Sequence, residues 1–274
     1  MEKNHRYSSG GIELVRKLTE EGDRIFTSKR ALELAPSVGL STGYLRQALH
    51  HLARSGWVVR VRNGLYSLSS SVPGVSPLHE FEVAMALVNP AAISHWSALN
   101  YHGLTEQTPR WVFVTTTVRS VPRHRQENRT TEGYSIGDTI YKFVQIEPKR
   151  FFGIEDVWVN EARIRMTDPE RTLIDGLIAP QYCGDFAEVL HAFEVRGQKL
   201  DVERIIEYAF KIDSATAKRL GWILEQQGIL SVHLKRLMAI PIKGYRVLDP
   251  TGPRRGQCDK RWMIQVNLPG KVGV

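Results

Sequence analysis

Between Ser41 and Arg54 the sequence STGYLRQALHHLAR carries two arginines, two histidines and a glutamine, and no acidic residue. A solvated helix normally mixes both signs of charge, so an acid-free face suits contact with a phosphate backbone. Plotted at ~100° per residue, Gly43, Gln47, His50 and Arg54 fall on one side of a helix, flanked by Tyr44, Arg46 and His51. Thr42, Tyr44, Arg46, Gln47 and His50 lie near its start or middle, where a helix in the major groove reaches base edges. Arg54, farther along, suits a phosphate. Leu45, Leu49 and Leu52, with Ala48 and Ala53 beside them, form the opposite, buried face. Ser41 is the expected N-cap and Gly56 the expected C-terminal cap.

The elements around this face must hold it. Asn63-Gly64 predicts a two-residue type I′ turn. Folding there sets Arg62 opposite Leu65, Val61 opposite Tyr66, Arg60 opposite Ser67 and Val59 opposite Leu68. Val59, Val61, Tyr66 and Leu68 are then expected on the core side, with Arg60 and Arg62 outward as phosphate contacts. Upstream, Thr27 caps a short helix, and Pro36 through Leu40 supply a turn. Ile12, Leu14, Val15 and Leu18 predict a first helix ending near Gly22. Helix, turn, basic helix and basic hairpin is the order of a winged helix-turn-helix, a DNA-binding module.

Charge is distributed accordingly. The chain has 274 residues and a net charge of +8. Residues 1–70 hold 11 Lys/Arg against 6 Asp/Glu, while the remaining 204 hold 26 against 23. The positive excess is concentrated in the basic module. Residues 69–77, SSSVPGVSP, have the composition of a linker, so the expected domains are 1–72 and 78–274. MEKNHRYSSG has no apolar signal core, and no run approaches the ~20 apolar residues needed to span a bilayer. Cys183 and Cys258 have no CxxC partner. These features predict two free thiols in a cytoplasmic protein without membrane contact.

The second domain is expected in three parts. Residues 78–166 read as α+β: helices near Pro77–Val88 and Ser94–Tyr101, then strands at Trp111–Val118, Thr139–Ile146, Val157–Val159 and Ala162–Met166. Residues 167–240 are mainly helical, with caps expected at Asp168, Asp185, Asp201 and Ser214 and a capping box formed by Asp185 and Glu188. Residues 241–274 carry two short strand candidates, Tyr245–Leu248 and Trp262–Asn267. The fold class is thus α+β: a winged helix-turn-helix followed by a larger mixed α/β domain with a helical C-terminal half.

Few residues of this second domain point to catalysis. GxxxxGK[ST], GxGxxG after a strand, HRD/DFG, GxSxG and HExxH are all missing. His95 and His102, seven apart, have no obvious third ligand, and ordinary hydrogen-bonded histidines account for them better than a metal. Asp168 and Glu170 fit a helix cap and dipole, and Arg171 with Asp175 fits a local ion pair. Arg119, Arg123, Arg125 and Arg129 form a basic loop suited to nucleic acid or an acidic partner, or equally to solvent. No catalytic residue, metal or cofactor is expected.

AISHWSALNYHGLTEQTP (92–109), MTDPERTLIDGL (166–177) and AKRLGWILEQQG (217–228), with GLYSL closing the basic module upstream, resemble the signature segments of AbiEi-type antitoxins. The likeness runs through nearly the whole chain in order. It implies the antitoxin of a two-gene, type IV-like toxin–antitoxin system. In that family the winged helix represses its own operon at inverted repeats, and the second domain counteracts a nucleotidyltransferase-type toxin. The expected partners are therefore double-stranded promoter DNA and that toxin, with cooperative self-association on DNA. Two alternatives stand beside this reading: an atypical serine kinase acting on the toxin, and a stand-alone regulator whose second domain senses a ligand.

Overall fold

The computed structural model describes residues 2–122, 125–126, 129–130, 133–229 and 231–268. The chain is a mixture of α and β structure in two compact units, Met1–Leu87 and Val88–Val274. Among the described residues no helix is long and apolar enough to cross a membrane.

The first unit contains α1 (Glu2–Glu20), β1 (Ile25–Thr27), α2 (Ser28–Leu34), α3 (Leu45–Arg54), β2 (Val58–Arg62), β3 (Leu65–Leu68) and α4 (Glu80–Leu87). Its strands form one sheet in the order β1-β3-β2. Leu14, Val15 and Leu18 of α1, Ala31 and Leu34 of α2, and Leu45, Ala48, Leu49 and Leu52 of α3 share one apolar core with Phe26, Val58 and Leu68. Of the four apolar residues that mark α1, Ile12 is exposed.

Three local expectations are revised. The helical hydrogen bonding of α3 starts at Leu45, with Tyr44 in the cap position and no side-chain cap, so Ser41 is not the N-cap. Ser41 instead opens a turn closed by its carbonyl and the Tyr44 N–H at 3.0 Å. Gly56 does end the helix. Its φ of 77° lets the Trp57 N–H reach back to the Leu52 carbonyl at 3.0 Å. In the hairpin, positive φ falls on Gly64 and not on Asn63, which is not the type I′ pattern. A bulge at Val61 then shifts the ladder: Arg62 faces Leu65 as expected, but Arg60 faces Tyr66, Val59 faces Ser67 and Val58 faces Leu68. Val58 and Val61 are buried, and Val59 is the outward valine. The bulge lets two valines three residues apart both reach the core.

The stretch 69–77 also differs from a bare linker. Val72 and Val75 are buried in the first core, and the compact unit runs on through α4 to Leu87. Arg24 pairs with Glu82 to hold α4 there.

The second unit opens with β4 (Ala91–Ile93), α5 (His95–Tyr101) and β5 (Trp111–Thr116). It continues with β6 (Arg125–Gln126), β7 (Arg129–Thr130), β8 (Tyr134–Ile136), β9 (Thr139–Gln145), β10 (Ile154–Val159) and β11 (Ala162–Thr167). A six-stranded sheet has the order β10-β11-β4-β5-β9-β8, with β5 parallel to β9 and β4 antiparallel to β5.

Helices follow: α6 (Pro169–Ile178), α7 (Phe186–Arg196), α8 (Val202–Ile212), α9 (Ser214–Gln226) and α10 (Ser231–Met238). Asp168, Asp185 and Asp201 each accept a hydrogen bond from the backbone N–H three residues on. Asp213, not Ser214, caps α9. The Glu188 carboxylate accepts from Thr105 and Gln107 rather than closing a capping box. Finally β12 (Arg246–Val247), β13 (Gln257–Asp259) and β14 (Ile264–Val266) form a small sheet. Trp262, fully buried before β14, packs against Gly221 of α9, where a Cβ would collide with the indole ring. Glycine is required there although it weakens a helix.

Candidate nucleic-acid interface

The surface of α3 emerges from its packing. With Leu45, Ala48, Leu49 and Leu52 held in the core, the helical repeat leaves Arg46, Gln47, His50, His51 and Arg54 exposed. Thr42 and Gly43 are exposed in the preceding turn, whereas Tyr44 is half-buried against the core. Tyr44 therefore contributes packing as well as surface.

The hairpin completes the surface. Gly43, Arg46, Gln47, Leu49, His50 and Ala53 of the helix side face Arg60 and Tyr66 of the hairpin across a concavity of about 530 Å³. Arg60 enters it because the bulge pairs Arg60 with Tyr66 on one face of the ladder. Its guanidinium donates to Asn63 Oδ1, and Arg62 donates to the Asn63 carbonyl at 3.5 Å. Tyr66 meets the core as expected, half-buried and stacked on Phe26 at 5.8 Å, and it also lines this concavity; nothing in the sequence marks the bulge that brings Arg60 opposite it.

Electrostatics set the surface apart. No Asp or Glu occurs between Glu33 and Glu80. The carboxylates of this unit lie on other elements: Glu13 and Glu20 pair with Arg16, Glu21 with Lys17 and Arg30, Asp23 and Glu33 with Arg30. Among the described residues Arg46, Arg54, Arg60 and Arg62 pair with no carboxylate. A concave surface with one sign of charge focuses its field outward and attracts a polyanion.

It shares its fold with a solved mycobacterial protein. The crystal structure of the RV2827C protein from Mycobacterium tuberculosis matches with a TM-score of 0.67, covering 93% of this chain and 90% of that one at 12% sequence identity. At that identity the likeness is one of fold. No protein-family model and no protein of curated function matches the sequence.

The basic segment of the second unit is only partly described. Arg119 is exposed, Arg123 lies outside the described residues, and Arg125 and Arg129 sit on the short β6–β7 ladder rather than in an open loop.

The other candidates of this unit have structural partners. His102 Nε2 lies 2.8 Å from the Thr167 carbonyl. Asp168 caps α6 and accepts from Tyr208 at 2.6 Å; burial and this bond push the tyrosine hydroxyl pKa up. Glu170 accepts from Arg196 and from the Asp201 N–H. Among the described residues no group of three or more His, Cys, Asp or Glu could hold a metal. Cys183 is buried, which pushes its thiol pKa up, and Cys258 is exposed.

His95 is buried at φ 51°, with Nδ1 2.8 Å from the Ser94 hydroxyl. Burial lowers its pKa from the ordinary 6.5; Asp175 opposes this and Arg171 adds to it. The unfolded chain takes up a proton there near pH 6.5 while the folded chain resists. The His95 contribution to stability is therefore full above that pH and is lost as pH falls through the lower folded value, by up to about 1.4 kcal/mol per pH unit in between. His95→Asn, which tolerates positive φ, should remove that slope. Urea unfolding at pH 7, 6 and 5 measures it, and parallel stability curves for the two proteins would refute the assignment.

Proposed function

We propose that the first unit is a winged helix-turn-helix that binds double-stranded DNA, with α3 in the major groove and the β2–β3 hairpin along the backbone. One observation carries this reading: Arg46 of α3 and Arg60 of the hairpin line one concavity, and neither has a carboxylate partner among the described residues. A helix of 10 residues is long enough to place its first turns against base edges in a groove ~12 Å wide. Arg46, Gln47 and His50 then read bases, with Thr42 and Tyr44 at the helix entry, while Arg54, Arg60 and Arg62 meet phosphates.

The resemblance to AbiEi-type antitoxins extends the proposal to the whole chain. It acts in the cytoplasm as an autorepressor at inverted repeats in its own promoter, with cooperative contacts between bound copies. Its second unit counteracts a nucleotidyltransferase-type toxin. Gel shifts with DNA from upstream of its coding sequence test the first activity, and rescue of cells expressing the neighbouring gene tests the second. Unselective binding to that DNA, or the lack of a toxic neighbour, would count against each in turn.

The hairpin offers a separate check. Arg60→Gln with Arg62→Gln should weaken specific and non-specific DNA about equally, and lower the salt slope by roughly one unit per lost phosphate contact. A loss confined to the operator would mean that the hairpin reads bases or groove shape instead.

A further inference from the structure

A second concavity lies wholly within the second unit. It has a volume of about 660 Å³ and is lined by Trp96 of α5, Gln107, Thr108 and Arg110 of the following segment, Trp111 and Phe113 of β5, Lys142 of β9, and Gln181 and Tyr182. The sheet register builds one wall. Trp111 and Phe113 alternate onto one face, and Lys142 lies beside Phe113 in the parallel β5–β9 ladder. The Lys142 ammonium sits 5.9 Å from the Trp111 ring centre and 5.4 Å from that of Tyr182, between two aromatic faces. Phe113 and Tyr182 are 6.0 Å apart, and Tyr182 is braced from behind by His95 at 5.6 Å.

This lining has a definite chemistry. Trp96, Trp111 and Tyr182 are each half-buried, so large aromatic surfaces border an open space. Lys142 and the exposed Arg110 supply positive charge, and no carboxylate lines the cavity among the described residues. The indole N–H of Trp96 is buried without an acceptor among the described residues. Gln107 is anchored by its amide nitrogen to Glu188 at 2.8 Å. Aromatic faces with a flanking cation are suited to a planar ring that carries negative charge. The volume lies in the range of small-molecule sites.

We infer that this cavity binds a nucleoside phosphate, with its base against Trp111 and Tyr182 and its phosphate beside Lys142 and Arg110. Stacking supplies affinity that tolerates several bases, and the two cations select for the phosphate. The site is independent of the DNA surface, and it gives the second unit a means of sensing nucleotide.

Isothermal titration calorimetry on the full chain tests this with the four ribonucleoside 5′-monophosphates, adenosine and ribose 5-phosphate. At least one monophosphate should bind, and adenosine and ribose 5-phosphate should each bind about tenfold more weakly or worse. Trp111→Leu and Lys142→Met should each weaken binding by about tenfold or more. Arg110→Gln, at the exposed rim, gives a variant that leaves the core untouched and should also weaken it. Arg46→Ala with Gln47→Ala should bind nucleotide normally, whatever it does to DNA. The inference is overturned if no monophosphate binds at millimolar concentration, if adenosine binds as well as AMP, or if the Arg110 and Lys142 variants bind undiminished. It is overturned equally if the Arg46/Gln47 variant loses the nucleotide, which would move binding to the first unit.

Discussion

Replacing Arg171 with methionine should destabilise the second unit by about 3–5 kcal/mol, the cost of leaving a buried charge without its partner. Arg171 and Asp175 side chains are 2% and 5% exposed, and the guanidinium donates to Asp175 Oδ1 through Nε at 3.0 Å and through a terminal nitrogen at 2.9 Å. Its other nitrogen donates to the carbonyls of Arg150 and Phe152, and its plane lies 4.4 Å from the Phe152 ring centre. Asp175 Oδ2 already lacks a partner among the described residues. Methionine matches much of the arginine stem but restores none of these bonds, so the carboxylate and two carbonyls are left in an apolar surround. Arg171→Met combined with Asp175→Leu should recover a large part of the loss, because the uncompensated charge is then gone. Urea unfolding of the four proteins of this cycle measures both effects. A single-variant cost below about 1 kcal/mol, as for an exposed pair, would show that Arg171 is not what ties α6 to the 150–152 segment.

The second large effect is on DNA. Arg46→Ala with Gln47→Ala should abolish operator binding, since each lost base contact costs ~1–3 kcal/mol. Both residues are exposed on α3, and neither belongs to the core formed by Leu45, Leu49 and Leu52. The melting temperature should therefore stay close to that of the parent, as for other surface substitutions. Undiminished operator affinity in a gel shift, with an unchanged melting curve, would exclude α3 as the reading helix.

What the sequence reveals here is mainly local. Asp168, Asp185 and Asp201 can be read as caps because each bonds a backbone N–H three residues away. The exposed face of α3 follows from its leucines by periodicity alone. Where two neighbouring residues compete for one cap, as Asp213 and Ser214 do, composition cannot choose, and Asp213 wins by bonding the Thr216 N–H. Alternation does not give the hairpin register because it assumes an unbroken ladder, and one extra residue at Val61 exchanges the faces of Val59 and Val58. β4 escapes notice because Ala91, Ala92 and Ile93 are all buried and show no alternation. The aromatic cavity is the least legible feature. Its walls come from α5, β5, β9 and the 181–182 turn, and only the parallel pairing of β5 with β9 brings Trp111 and Lys142 together.

The indole of Trp262, seated against Gly221, also sets an order in time. The helical core around α9 lacks its largest fully buried side chain until position 262 has been synthesised and has left the ribosome. The first unit needs nothing beyond Leu87 to close its own core. Domains generally fold as units from the N-terminus during synthesis. The first unit can thus close its core while the second unit is still an open nascent polypeptide.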